Sequence, residues 1–292
     1  MLYMRKYLLA IPALAVLFAC NPENTPGDTN DNENDNGGNK ETEEVVTIPS
    51  GAVDLGIVIT RGDGTTYKLY WAKSNLCESG LCANPEDYGD YYAWGETEPY
   101  YTEGHSQDSP CSNWRSRTDH PITGYNWVSY NFRTSGDSEN NVKFSKYNTR
   151  ESYGHVDNIT ELQRGEKNGE TMDDVARAKL GGKWRMPTDA EWTELRNKCT
   201  WTRTSNYNGT GNSGIIVTSN VDGYKDKSIF LPAAGGRSNS YFIAAGQYGL
   251  YWSSSLSTDD PGSGLCVYFD SDGVYRSGRY RCYGFSIRPV SE

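Results

Sequence analysis

Three Asp-Gly pairs, Asp63-Gly64, Asp222-Gly223 and Asp272-Gly273, each separate short runs rich in β-branched and aromatic residues. An Asp-Gly step supplies the left-handed backbone that a tight turn needs, so these pairs punctuate strands. GAVDLGIVIT and TTYKLYWAK read as an opening hairpin joined through Arg61, Gly62, Asp63 and Gly64, and this turn also accounts for the Arg-Gly-Asp tripeptide without an adhesive role. SGIIVTSN, KSIFLPAAG, YGLYWSSSL, LCVYF, VYR and YGFSIRPV read as further strands.

Helix signals occur in two segments. Thr171 with Asp174 makes a capping-box-like start for MDDVARAKL, which Gly181 and Gly182 end. Thr188 with Glu191 caps a second helix whose Trp192, Leu195 and Cys199 fall on one face. An early hairpin, a mid-chain helix pair and a last strand able to return to the hairpin predict an α+β domain with adjacent termini. Hydrophobic residues are 36% of the chain and mean hydropathy is −0.74, yet there are 22 Tyr and 8 Trp. The core is therefore expected to rest on aromatic packing and hydrogen bonds more than on aliphatic layers. The Tyr-, Ser-, Asn- and Gly-rich stretch that runs to about Gly169 carries little periodicity and needs that scaffold.

At the N-terminus, Arg5 and Lys6 precede an apolar run from Tyr7 to Ala19, the pattern of an export signal and too short to span a bilayer. Leu17-Phe18-Ala19-Cys20 resembles a bacterial lipobox, so residues 1–19 are expected to be a lipoprotein signal peptide and Cys20 the lipidated residue, anchoring the protein in the outer membrane. Residues 20–46 read as an acidic tether: Asn21 to Glu44 holds 8 acidic residues against Lys40. Asn32, Asn34, Asn36, Gly37 and Glu43 fall at calcium-loop spacing but lack flanking helix signals, so solvated linker is the better reading. The mildly acidic remainder argues against nucleic acid as a partner. Residues 47–292 are the folded domain.

Six further cysteines, Cys77, Cys82, Cys111, Cys199, Cys266 and Cys282, permit three disulfides whose pairing spacing cannot assign. His105, His120 and His155 lie in irregular sequence without metal-ligand spacing. Glu96 and Glu98 in WGETEP are a candidate acid pair or two residues sharing one strand face. Asp259, Asp260, Asp270 and Asp272 are explained by turns before calcium. Neither a cofactor nor a metal is expected.

YGDYYAWGETEP, GGKWRMPTDAEWTELRNKCTW, IFLPAAGGR, YWSSSL and YGFSIRPV, in this order, resemble the Fibrobacter succinogenes major paralogous domain of gut-bacterial lipoproteins, over about Val53 to Glu292. The resemblance implies a C-type lectin-like fold, also similar to formylglycine-generating enzymes, and function in that family is mostly uncharacterised. In some members the C-terminal region is the target of a diversity-generating retroelement that randomises adenine-containing codons. The intervals Ser238–Ile243, Ser257–Cys266 and Asp270–Cys282 use Ser, Tyr, Asp, Gly, Arg, Phe, Leu and Cys, all reachable from an Asn codon at its adenines. On that implication the region about 236–283 is variable-type, and Cys266 and Cys282 are either sampled residues or a disulfide.

A Tyr/Ser/Gly/Arg surface suits recognition, because Tyr gives amphipathic contact at low rotamer cost and Arg stacks or makes charged hydrogen bonds. The expected contact residues are Ser240, Tyr241, Phe242, Asp259, Asp260, Leu265, Cys266, Tyr268, Asp270, Asp272, Tyr275, Ser277, Arg279, Tyr280, Arg281 and Cys282. Of the adjacent Tyr268 and Phe269, which face opposite ways on a strand, Tyr268 is expected outside. The expected function is non-enzymatic binding of an unknown protein or glycan at the cell surface. The alternatives are an adhesive or filament-tip subunit and a copper-dependent oxidase using Cys266 and Cys282.

Overall fold

The computed structural model describes residues 47–100, 124–165 and 171–292; the calls on Cys20, the signal, the tether, Cys111, His105 and His120 lie outside these. β1 (Ala52–Thr60) and β2 (Thr66–Ala72) form the opening antiparallel hairpin, in register Ile57↔Leu69 and Ile59↔Tyr67. Its turn closes as the Asp-Gly chemistry dictates: Arg61 N donates to Thr65 O, and the Asp63 carboxylate accepts from Thr65 N at 2.9 Å. A bulge between Asp54 and Ile57 places Gly56 at φ +71°, with the Tyr224 ring 2.3 Å from where a Cβ would stand. Only glycine fits there.

Two small ribbons follow, β3 (Leu76–Cys77) with β4 (Gly80–Leu81) and β5 (Arg133–Ser135) with β6 (Lys143–Phe144). A Cys77–Cys82 disulfide ties the first, while Cys199, Cys266 and Cys282 are free thiols. The allowance for three disulfides is thus not filled among the described residues.

α1 (Val175–Leu180) begins later than the Thr171 box predicts. Asp174 is the N-cap, accepting from Arg177 N, and its carboxylate also receives Met186 N at 2.9 Å. That second partner is distant in sequence, which is why the local pattern misplaced the start. α2 (Asp189–Lys198) carries the expected reciprocal Thr188/Glu191 capping box, and Trp192, Leu195 and Cys199 are buried together. The chain then passes directly into β7 (Cys199–Thr204), a strand the helical reading of KCTW concealed.

β7, β8 (Gly214–Ser219) and β9 (Ser228–Pro232) form one sheet. β10 (Gly236–Ser238) and β11 (Tyr241–Ile243) form a short hairpin. β12 (Gly249–Leu256), β13 (Ser263–Phe269) and β14 (Val274–Tyr280) form an antiparallel sheet with β13 in the middle. The closing strand divides into β15 (Gly284–Phe285), which pairs with β10, and β16 (Val290–Ser291), which returns to β2. Among the described residues, small antiparallel sheets with two α-helices make this an α+β protein.

The core among the described residues falls into three clusters. The first joins Leu55, Ile57, Leu69 and Trp71 of the hairpin to Trp192 of α2, with the Trp71 and Trp192 rings 4.7 Å apart. The second holds Trp94, Trp252, Cys266 and Phe285. The third is mainly aromatic, with Tyr91, Tyr100, Tyr125, Trp127, Tyr130 and Phe144. Burying phenols requires partners, and Tyr91 OH donates to Ala234 O, Tyr130 OH to Trp94 O and Tyr251 OH to Pro232 O.

Two buried arginines hold the clusters together. Arg288, fully buried, donates to Asn75 Oδ1, Ala72 O and Phe230 O at 2.8–3.0 Å, and burial lowers its pKa to about 10. Arg185 exchanges backbone hydrogen bonds with Val290 and forks onto the Glu191 carboxylate at 2.7 and 2.5 Å, where Tyr67 OH also donates. Burial alone would raise Glu191, but the Arg185 hydrogen bonds and charge outweigh it and hold the carboxyl below its ordinary 4.5. Such a group stabilises the fold above the unfolded pKa and loses that contribution as pH falls through the folded one. Glu191→Gln is expected to cost about 3 kcal/mol at pH 7 because it leaves a buried Arg185 half-paired. Melting curves from pH 7 to pH 3 should show the wild-type advantage shrinking only below about pH 4.5; a gap independent of pH contradicts this.

Candidate ligand-binding face

β14 ends its sheet, and period-two alternation sorts its side chains. Tyr275, Ser277 and Arg279 share the face of Tyr268, because the register pairs Tyr268↔Tyr275, Cys266↔Ser277 and Gly264↔Arg279. The Tyr268 and Tyr275 rings stack with centroids 5.0 Å apart, and the Arg279 guanidinium lies 5.2 Å from the Tyr268 ring. Arg279 Nη1 donates to Ser277 Oγ at 2.7 Å, which holds the guanidinium along the strand. On the other face of β14 Val274 packs on the first core cluster, while Arg276, exposed to solvent, pairs with Asp189 of α2 at 2.6 Å. Of the adjacent pair expected to face opposite ways, Phe269 is fully buried and Tyr268 is half-buried, packed against the second core cluster.

Beside this ladder lies a cleft of about 360 Å³ lined by Asp260, Ser263, Gly278, Arg279, Tyr280 and Tyr283. The Asp260 carboxylate accepts from Tyr153 OH and Ser263 Oγ, each at 2.8 Å, and from Gly262 N at 3.1 Å, which fixes one wall. Tyr280 packs on Trp127 at 5.7 Å and edge-on to Tyr283 at 5.5 Å. Tyr283 was legible only as frame; its hydroxyl reaches Ser238, linking the cleft to the β10–β11 hairpin. In that hairpin Tyr241 is 60% exposed, whereas Phe242 turns under the Arg237 guanidinium, 3.6 Å from its ring centroid. Ser240 is half-buried at the turn, after Asn239 at φ +52°.

Four expected contact residues lie inside instead. Leu265 is 8% exposed, Cys266 and Cys282 1% each, and Arg281 not at all. Cys266 belongs to the second cluster and Cys282 to the third, so they neither bridge nor meet a ligand. Burial pushes the Cys199 and Cys266 thiols up to about 12 and raises Cys282 as well. Arg281 sits 3.7 Å above the Phe144 ring, with Trp94 and Tyr130 at 5.6 and 5.4 Å, and donates from Nη1 to Tyr147 O at 3.0 Å. It is a core cation whose charge the aromatic faces offset.

The acidic candidates separate. Asp270 Oδ1 accepts from Asp272 N and Gly273 N, so Asp270 and Asp272 build the hairpin turn, and Asp259 is exposed. Glu96 is buried, accepting from Tyr100 OH and Asn131 N, while Glu98 pairs with Lys179 at 2.9 Å. The two share neither a cleft nor a strand face. His155 is exposed. Among the described residues no group of three His, Cys, Asp or Glu converges as a metal site.

A scan of protein-family models finds no match to this chain, and searches of curated proteins and of solved structures return none. The reading of the face therefore rests on its own geometry.

Iodoacetamide at pH 8 should leave the Cys199, Cys266 and Cys282 peptides unlabelled in the native protein and label all three in guanidinium chloride. A native-state adduct at any of them, or a Cys266–Cys282 linked peptide in a non-reduced digest, contradicts the burial described.

Proposed function

We propose that this protein is a lipid-anchored cell-surface binder of C-type lectin-like fold that recognises a protein or glycan through the face carrying Tyr241, Tyr268, Tyr275, Ser277 and Arg279. The observation that carries the reading is the ladder in which Tyr275 stacks on Tyr268 and Arg279 lies over the same ring. A stacked phenol pair with a guanidinium beside it offers flat apolar area, hydrogen-bond donors and a charge, and it is already ordered before a partner arrives. Tyr241 adds an exposed ring on the neighbouring hairpin, and the cleft beside Tyr280 and Asp260 offers a recess. The return of the last strand to the first hairpin supports the lectin-like reading of the fold. The contact set of this proposal omits Leu265, Cys266, Arg281 and Cys282, which pack inside.

Retroelement diversification belongs to the same proposal. Its outward positions tolerate exchange because they carry little packing, and a reverse-transcriptase gene with a template repeat matching the 3′ end of the gene is its expected genomic trace. An adhesive or filament-tip role is the second reading, and the observation favouring it is that β14 ends its sheet with an edge able to accept a strand. The copper-oxidase reading needs Cys266 and Cys282 at one site, and they pack in separate clusters.

A protein and glycan array screen supplies the ligand. Replacing Tyr241, Tyr275 and Arg279 together by Ala should then weaken that ligand by at least about thirtyfold, since central aromatic and Arg contacts are each worth about 2 kcal/mol or more. The melting temperature should hardly change. Unaltered affinity in a folded triple variant places the site elsewhere, and co-purification with filament proteins that a Ser277→Pro substitution abolishes favours the adhesive reading.

A further inference from the structure

Away from the proposed binding face, a cavity of about 460 Å³ is walled by Arg164, Arg177, Gly182, Lys183, Arg185 and Glu292. Four cations on one hollow run against the average of a chain whose formal net charge is −10. Local structure brings them there. Arg177 lies in the last turn of α1, and Gly181 and Gly182, at φ +65° and +56°, turn the chain back so that Lys183 and Arg185 follow beside it. An antiparallel bridge between Arg164 and Met172 adds the fourth cation.

Their charges are unequally used. Arg185 is consumed by Glu191 and Glu292, and Glu292 is bound by Arg61 as well. Arg164 Nε stands 3.8 Å from the Asp174 carboxylate, and that buried nitrogen has no hydrogen-bond partner. The Arg177 and Lys183 side chains have neither an ion pair nor a hydrogen bond among the described residues. Counting the Asp174, Glu161, Glu191 and Glu292 side chains against Arg61, Arg164, Arg177, Lys183 and Arg185 leaves one positive charge in excess, and Arg177 and Lys183 are the two of these cations without a partner among the described residues. Basic residues at a helix C-terminus offset its dipole, which accounts for Arg177 but not for cations converging on it from two other segments.

We propose that this cavity binds a tetrahedral oxyanion, phosphate or sulfate, free or as an ester on a larger ligand, through Arg164, Arg177 and Lys183. Guanidinium and ammonium donors make charge-assisted hydrogen bonds to such oxygens. The volume exceeds what one such ion fills, leaving room for the group that carries an ester.

Titration calorimetry at constant ionic strength tests this with sodium sulfate, sodium phosphate and a heparin-derived sulfated tetrasaccharide. Arg177→Gln/Lys183→Gln should weaken binding at least about tenfold, the loss of one or more charge-assisted contacts. Lys225→Gln/Lys227→Gln removes the same charge at exposed ion pairs elsewhere and should leave affinity unchanged. Tighter binding of the tetrasaccharide, lost in the cavity variant, assigns the ester as ligand; equal or exclusive binding of the free ions assigns the ion. No binding of any probe, or equal weakening in both double variants, overturns the proposal.

Discussion

The buried Arg185–Glu191 pair is the joint on which the rest of the molecule closes. Glu191 is at once the capping residue of α2, the acceptor of Tyr67 from β2 and the carboxylate partner of Arg185. Arg185, through its backbone, holds the last strand against β2. Helix start, first hairpin and chain end thus share one carboxylate. A surface pair of the same residues would contribute little; here burial makes loss of either partner expensive, because the other charge stays behind.

The same economy runs through the interior. A chain poor in aliphatics buries Arg288 on carbonyls, Arg281 over Phe144, and phenols on backbone oxygens. Each polar group so placed fixes a distance and a direction that an aliphatic contact would leave free. This rigid frame lets β14 display side chains that contribute little to stability. Tyr275 stacks on Tyr268 and half-buried Arg279 lies over the same ring, whereas exposed Arg276 on the opposite face is tied to α2.

What was readable beforehand was whatever is determined locally. Asp63-Gly64 and Asp272-Gly273 marked hairpins because turn chemistry lies within four residues, and Thr188 with Glu191 marked α2 for the same reason. The return of the last strand to β2 followed from element order. Distant partners hid the rest. The start of α1 depends on Asp174 reaching Met186, β7 continues from a helix without punctuation, and the third core cluster is assembled from aromatic loops that have no period. On the face, alternation separated Tyr268 from Phe269. Nothing local distinguished half-buried Arg279 from fully buried Arg281, since the latter's fate is decided by Phe144, Trp94 and Tyr130 far away in the chain.

The central claim is that a diversifiable face lies on a frame that does not share its freedom. It is tested most directly by measuring protease resistance across two displayed libraries. One randomises Tyr241, Tyr275, Ser277 and Arg279; the other randomises Leu265, Cys266, Arg281 and Cys282. The account predicts that most members of the first library remain folded and that few of the second do. Equal tolerance in the two would contradict it.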